Sequence, residues 1–570
     1  MIDIQRARLF AYSIYYTRPQ QLLARLFLLL KRKVLVLTAT EKLKKRVAFS
    51  TGDYLSLNDN PPTGIFDLRR NSVVHANPLT LNFLNMERSF IGQYDWRPAE
   101  LKKGTRLWLL NLHYMEFLEG LNEDQSLRTI EYWIDSNLPY DDGYWLDNWN
   151  SYALSIRVVV WMQRLPSLRE TADNGQWVSI HRSLHAQVKF LFGNLELDIG
   201  GNHLIKNIKA LLWAGKYFNN KDSECWVRKA EQLLRAQLDE QVLEDGMHYE
   251  LSPAYHAQVM ADLMECNAVL DDSPLKTKLG EKLALMAQVL IDLTHPDGQI
   301  SLFNDAALHM AYAPEQILSK YELAFGDRPS RRSVFELEDS GYCATFSNGH
   351  YLLFDAGPLA PDFLPAHGHG DALAFEYSVG DQRVMIDPGV YCYDAGDDRD
   401  FSRSSKSHNT VTLDDLDQSE FWASFRVGRR ARIIKRDISA SFNSFSVTAS
   451  HSGYAHLQGS PVHERCVSLV GQQLVIRDDI HNGAQQTAVA RFMLHPSFST
   501  EYLGEDSRQV RVWNSDLEFE ITSDHPIQVN TSKCFMDFGH VTETIQLSVL
   551  IGHGPCSSEV RIECVSTEPH

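Results

Sequence analysis

No Cys-x-x-Cys pair occurs in this chain of 570 residues, and its eight cysteines are scattered singly. Cys225, Cys266, Cys343, Cys392, Cys466, Cys534, Cys556 and Cys564 therefore argue against a dense disulfide framework and read as reduced, mostly buried thiols, which permits a cytoplasmic setting. A membrane-spanning run is also missing. The apolar stretch LFLLL at 26–30 is too short to cross a bilayer. It also stands too late for a signal peptide and lacks the small-residue cleavage site of one. The expected location is the cytoplasm, with export by another route left open. Positive charge is in deficit: the formal net charge of −18 excludes a nucleic-acid footprint spread over the surface. An acidic substrate is not excluded, because a local basic cleft outweighs the bulk field within a Debye length of roughly 8–10 Å. Short-period repeats and low-complexity tracts are absent.

What is present is the composition of an ordinary globular protein, 44% hydrophobic and 22% charged. The length calls for at least two domains. Residues 1–46 stand apart, with eleven basic residues against two acidic ones. They read either as an amphipathic basic helix in weak contact with an anionic membrane surface or as a helix packed on the body with its charges in water. The first half of the chain then has helical period. In GNHLIKNIKALLWAGKYF (201–218), Leu204, Ile208, Leu211, Leu212 and Gly215 fall near helical spacing. NSYALSIRVVVWMQRL, WVRKAEQLLRAQLDEQVLEDG and YHAQVMADLMECNAVL continue the pattern, joined by short Gly, Pro and Asp turns. Such segments suggest helical hairpins, which can close into an α/α toroid. Near residue 335 the period changes. YCATFSNGHYLLFDAG, LAFEYSVGDQRVMIDPG and HERCVSLVGQQLVIRDDI carry alternating, β-branched and aromatic runs broken by Asn-Gly, Gly-Asp and Gly-Gln turns, the pattern of an antiparallel β-sandwich. The expected fold class is thus a multidomain α+β chain: a basic N-terminal extension over 1–95 packing on the helical domain, an incomplete α/α toroid over 96–330, a linker AFGDRPSRRS (324–333), and a β-sandwich over 335–570.

Three stretches hold the residue types that do chemistry. GGNHLIKN (200–207) puts Asn202 and His203 at a helix start, where free backbone N–H groups and the helix dipole suit a carboxylate, although Asn202 is also an ordinary helix cap. DGMHYELSPAYHAQ (245–258) gathers His248, Tyr249, Glu250, Tyr255 and His256 before a helix. A tyrosine serves as acid or base when a cation or a donor lowers its phenol pKa. The alternative is a pair of interfacial tyrosines with wet hydroxyls. PAHGHGDALAFEYSVGDQRVMIDPG (365–389) separates His367 from His369 by one residue and ends near Asp387, with His408 following in SSKSHNTVTL. Two imidazoles and a carboxylate make a zinc-type donor set with a fourth position open; the alternative is a glycine-rich loop with surface histidines.

In this order, GNH at 201–203, DGMHYELSPAYH at 245–256, HGHGD at 367–371, IDPG at 386–389 and SHNT at 407–410 resemble the heparinase II/III-like polysaccharide lyases. NWNSYALSIRVVVW (148–161) is similar to the family's first toroid helices. The resemblance implies an N-terminal α/α toroid, a C-terminal β-sandwich, and cleavage of a uronate-containing polysaccharide by β-elimination. It implies that Asn202 and His203 meet the uronate carboxylate, that Tyr255 moves protons, and that His367 is the catalytic histidine. It gives His369, Asp387 and His408 to one divalent metal, usually zinc in relatives, with a mainly structural role. Trp145, Trp149 and Tyr152 are candidate stacking platforms for sugar rings or equally core residues, and Glu250 and Arg403 complete the candidate substrate contacts.

Two rivals stand beside this reading. An α/α toroid also hosts inverting glycoside hydrolases, which need two carboxylic acids roughly 6.5–9.5 Å apart; Asp245, Glu250 and Asp305 are the candidates. A non-catalytic glycan-binding or assembly protein is the other. The first leaves the His/Tyr/Asn set unexplained, and the second leaves Asn202, Tyr255 and His367 without a purpose.

Overall fold

The structure is a computed structural model that describes residues 4–67, 72–90, 95–97, 106–441 and 443–566. The chain forms two compact units, one of residues 17–241 and 259–284, the other of residues 1–16, 242–258 and 285–570.

The first unit is helical. Helix Ser151–Leu168 packs against Asn174–Phe192 and Gly201–Tyr217, and the latter packs against Lys221–Gln241. Local chemistry sets the ends. The Asn150 side chain accepts from the N–H groups of Tyr152 and Ala153, and Asp173 with Gln176 closes a capping box. Gly215 lets two helices approach: a Cβ there would stand 2.3 Å from Val227 Cγ2. The interior is built on buried tryptophans, among them Trp108, Trp133, Trp161, Trp213 and Trp226. Arg157 is buried among them, 3.9 Å over the Trp133 ring, and donates to Gln187 Oε1 and to the carbonyls of His113 and Asn148. Helices Pro19–Thr38 and Glu41–Ala48 and a three-stranded sheet over Val73–Phe90 belong to this unit. No helix among the described residues is long and apolar enough to cross a membrane.

The second unit is antiparallel sheet. A five-stranded sheet runs in order through Val334–Glu336, Tyr342–Ser347, His350–Asp355, Phe375–Val379 and Gln382–Met385. An eight-stranded sheet runs from Ile433–Ser441 through Val462–Val470 and Cys556–Ser566 to Ser499–Tyr502, and a four-stranded sheet from Ile527–Cys534 to Val411–Leu413. Asn348 and Gly349 both have positive φ between paired Ser347 and His350, the turn that an Asn-Gly pair favours in a two-residue hairpin. Strand His350–Asp355 is buried along its whole length because both faces are covered. Leu352 and Phe354 join Phe375, Val447, Val467 and Ile476 in the sandwich core. Tyr351 and Leu353 join Met247, Leu251, Val289 and Phe303 on the other side. That second layer brings the segment around residue 250 to the sheet.

The basic segment is divided. Instead of packing with the rest of the extension on the helical unit, helix Ile4–Tyr16 packs on the sheet unit: Leu9 is buried near Gly428, Arg8 pairs with Glu420, and Arg430 lies 3.9 Å over the Tyr16 ring.

Candidate active site

The sheet unit gathers Glu250, Tyr255, Asp305, His367, Tyr393 and Arg399. Tyr255 sits in the first turn of helix Pro253–Val269, behind Ser252, whose hydroxyl oxygen is 3.4 Å from the Tyr255 N–H, and Pro253 as the first helical residue. The Ser252 hydroxyl donates to the carbonyl of Asp305 at 2.7 Å, fixing the helix start to that residue. The Tyr255 and His367 rings are in contact, centroids 4.0 Å apart, and the Tyr255 hydroxyl lies 3.0 Å from that of Tyr393. His367 is held at both nitrogens: Nδ1 is 2.8 Å from Asp305 Oδ2 and Nε2 is 3.2 Å from Glu250 Oε2.

Asp305 is the hub. Its carboxylate meets His367 on one oxygen, His369 Nε2 on the other at 2.8 Å, and the guanidinium of Arg399 on both. Burial pushes this carboxyl up, but the Arg399 charge and the two histidine hydrogen bonds outweigh it and hold it well below the usual carboxylate range. The backbone supports the hub. Asn304, with φ of 59°, accepts from the His369 N–H at 2.9 Å and donates to the carbonyl of Leu251, itself at positive φ beside Glu250. The glycines of the H-G-H-G run are there for close approach. A Cβ on Gly368 would stand 2.5 Å from the Leu359 carbonyl, and one on Gly370 would stand 2.5 Å from Ser405 Oγ.

His369, Asp387 and His408 form a second, wholly buried group whose ligand atoms all lie within 4.8 Å of one another. His408 Nδ1 is 2.6 Å from Asp387 Oδ2. His369 Nδ1 and His408 Nε2 are buried with no hydrogen-bond partner among the described residues. Burial pushes both imidazoles down, His369 to about 3, which favours the neutral form that keeps a lone pair. Burial, then the Glu376 charge, holds the Asp387 carboxyl well above its ordinary range. Neutral imidazoles, orphaned nitrogens and a buried carboxylate in need of positive charge fit a cation. The Asp305 contact to His369 is the carboxylate support that ligating histidines usually have.

In the helical unit, Gly200 and Gly201, both at positive φ, turn the chain into helix Gly201–Tyr217. Asn202 in its first turn is buried. His203 Nδ1 lies 3.1 Å from Glu196 Oε1, and the His203 ring packs 4.4 Å from that of Tyr152. Glu196 is fixed in turn by Asn207, whose side chain accepts from its N–H and donates to Oε2.

Comparison with known proteins agrees with this architecture. The heparinase II/III N-terminus family model matches residues 148–332, and the heparinase II/III-like C-terminal model matches residues 329–563. The chain belongs to the heparinase II/III-like family. A heparin-sulfate lyase of Bacteroides thetaiotaomicron is 27% identical over 187 residues, 30% of this chain and 27% of that one. A heparin-sulfate lyase of Pedobacter heparinus is 25% identical over 260 residues, 41% of this chain and 38% of that one. The matched stretches thus span well under half of those relatives' length. The crystal structure of heparinase III superposes with a TM-score of 0.70 at 18% identity, covering 93% of this chain and 86% of that one. A mutant heparan sulfate lyase from Pedobacter heparinus gives 0.60 at 16%, covering 95% and 89%. These likenesses show the fold, an α/α toroid with an antiparallel β-sandwich, as the sequence reading expects.

Within this family fold the remaining expected residues fall as follows. Trp145 is half-buried beside Tyr144 and Arg32. Trp149 is 2% exposed and its indole N–H donates to the Asn137 carbonyl, so it is a core residue with no face for a sugar. Arg403, expected at the substrate, is buried and spends its donors on the carbonyls of Gly368, Ala423 and Ser424, which makes it a brace for the histidine loop. Glu250 is buried against His367. His256 is structural, with Nε2 at 2.9 Å from the Met286 carbonyl. Asp245, a candidate hydrolase acid, accepts from the Ser340 N–H and hydroxyl at 2.8 Å each and from Met247. Sequence reasoning does not single out Arg399 or Tyr393, and it considers Asp305 only as a hydrolase acid. No motif names them; the only available signal is that buried polar residues of the sheet half must find partners.

Proposed function

We propose that the protein is a polysaccharide lyase that cleaves a uronate-containing, glycosaminoglycan-like polysaccharide by β-elimination. The observation that carries the proposal is the contact of Tyr255 with a His367 held at both nitrogens. Membership of a family whose curated relatives are named heparin-sulfate lyases supports it.

In β-elimination a base removes the proton on C5 of the uronate. The electron pair forms the C4–C5 double bond, the C4–O bond breaks, and an acid protonates the leaving oxygen. Tyr255 is assigned the proton transfers. Its hydroxyl lies beside that of Tyr393, which gives it a neighbouring donor and acceptor. With Nδ1 committed to Asp305, His367 has only Nε2, next to Glu250, to turn toward a reacting group. Asn202 and His203 are assigned to the uronate carboxylate, where charge grows as C5 is deprotonated. Half-buried Tyr152, packed on His203, is a substrate contact in the same reading.

His369, Asp387 and His408 would hold one divalent ion, zinc by donor type, which supplies positive charge to a buried carboxylate and cross-links three loops.

A hydrolase is disfavoured because two of its three candidate acids are committed. Asp305 is shared by Arg399 and two histidines, and Asp245 is saturated by backbone and hydroxyl donors. A panel of uronate polysaccharides, assayed for the ultraviolet absorbance of the unsaturated product, decides the matter. New reducing ends without that chromophore would show hydrolysis, and no cleavage across the panel would leave the glycan-binding protein.

A further inference from the structure

Helix Pro19–Thr38 is turned the opposite way from an ordinary surface helix, which points its apolar stripe at the core. It buries Leu28 and Gln21, and several of its contacts with the helical unit are polar. Gln21 Nε2 donates to the Ile199 carbonyl at 3.4 Å and Arg25 to that of Asp198 at 3.2 Å. Lys31 Nζ reaches the Gly193 carbonyl and Asn194 Oδ1 at 2.9 Å each, and Arg32 lies 6.0 Å over Trp145. The outward face is Leu23, Leu26, Phe27, Leu30, Val34 and Leu37. Steps of three and four residues place these side chains in one continuous stripe. They are 55% to 84% exposed.

A stripe of that kind left in water marks an interaction surface. Its charge says which. Exposed Lys33 lies beside it on the same helix, and exposed Lys42, Lys45 and Arg46 follow in helix Glu41–Ala48, while Glu41 is the only acidic residue from 17 to 46. This basic character stands out on a chain of formal charge −18. A second copy would bring the same cations against themselves. A spanning arrangement is excluded by Arg25, Lys31, Arg32 and Lys33 within the helix, and no helix among the described residues meets the length and hydropathy needed.

We propose that this stripe seats the protein on an anionic phospholipid surface, with the helix lying in the interfacial plane. The apolar side chains enter the acyl boundary while the basic residues meet lipid phosphates. Each large apolar side chain moved out of water is worth roughly tenfold or more in partition. Each lysine or arginine near an anionic surface is worth roughly fivefold at ordinary salt.

The test is co-sedimentation of the full chain with vesicles of equal parts phosphatidylcholine and phosphatidylglycerol, against vesicles of phosphatidylcholine alone. Wild type is expected to pellet with the anionic vesicles, less so as salt is added. The combined variant Leu26→Gln, Leu30→Gln and Leu37→Gln is expected to bind roughly a hundredfold more weakly or worse, with an unchanged melting temperature because all three side chains point outward. Binding undiminished in that variant, or equal on both vesicles, overturns the proposal. So does a wild type that ignores both vesicles: a dimer dissolved by the variant would give the stripe to a second copy, and a monomer would give it to another protein.

Discussion

His367 has a carboxylate at each ring nitrogen, Asp305 at Nδ1 and Glu250 at Nε2, which fixes the plane of its ring while leaving Nε2 beside Glu250. Its neighbour Tyr255 carries the transferable proton in the proposed reaction, so the two rings have separable roles. Tyr255→Phe removes one hydroxyl and leaves the ring contact intact. The expected outcome is a loss of ~10²–10⁴-fold in turnover with an unchanged melting temperature, the usual range for a general acid–base group. A variant that keeps more than about a tenth of the wild-type rate would move the assignment to Tyr249 or Tyr393. Asp305 answers to a different measurement. Arg399 is fully buried and pairs with both Asp305 oxygens, so Asp305→Asn leaves a buried guanidinium without its counter-charge, a change that typically costs about 3–5 kcal/mol. Denaturant unfolding should register that loss together with lower turnover. Wild-type stability with turnover abolished would make Asp305 a reacting acid and reopen the hydrolase reading.

At the scale of elements, the loops decide the site. Residues 365–371 pass so close to Leu359 and Ser405 that only glycine fits between and after the two histidines, and Arg403 ties the same loop to the carbonyls of Ala423 and Ser424. The contacts of His369, Asp387 and His408 join this loop to the segments carrying the latter two. An ion there should act first on stability. His408→Ala is expected to lose bound metal, to melt at a lower temperature, and to lose activity as a consequence. The check is metal content, melting temperature and rate on one preparation. Full metal occupancy with an unchanged melting temperature would remove His408 from the ligand set, and rate loss with unchanged stability would move the ion from scaffold to chemistry. Much of this element level was legible in the sequence. The Asn348–Gly349 turn, the change of period near residue 335 and the H-G-H spacing are local signals, and local signals survive in a single sequence. What was not legible depends on contacts across long separations. Residues 242–258 and 285–335 carry helical and turn patterns, yet Met247, Leu251 and Phe303 pack on the back of strand His350–Asp355 and join the sheet unit. Arg399 reaches Asp305 across 94 residues, and nothing near either one announces the other. Trp149 stays open between sugar platform and core, and Arg403 is placed at the substrate, because a sequence gives residue type without burial.

For the molecule as a whole, charge is the property that bears most on a polyanionic substrate. Removing the eleven basic and two acidic residues of 1–46 from totals of 55 and 73 leaves 44 against 71, so the remainder of the chain carries a formal charge of −27. A negatively charged body repels a negatively charged chain at long range, while short-range donors such as those assigned to Asn202 and His203 act only after encounter. Salt separates the two. The Debye length is about 30 Å at 0.01 M and falls to about 8 Å at 0.15 M, so added salt first removes repulsion between distant charges and only later weakens contacts at the site. If the substrate is a polyanion, kcat/KM should therefore rise as sodium chloride is raised across that range, through a falling KM with kcat nearly constant, and should decline at higher salt. The comparison that isolates the effect is a uronate oligosaccharide just long enough to fill the site, which carries little distant charge and should show a much flatter rise. A steady fall of kcat/KM from the lowest salt upward would mean that a local cationic surface dominates encounter and that the acidic body is too remote to matter. A profile identical for polymer and oligosaccharide would show that the measured step is insensitive to the field of the body.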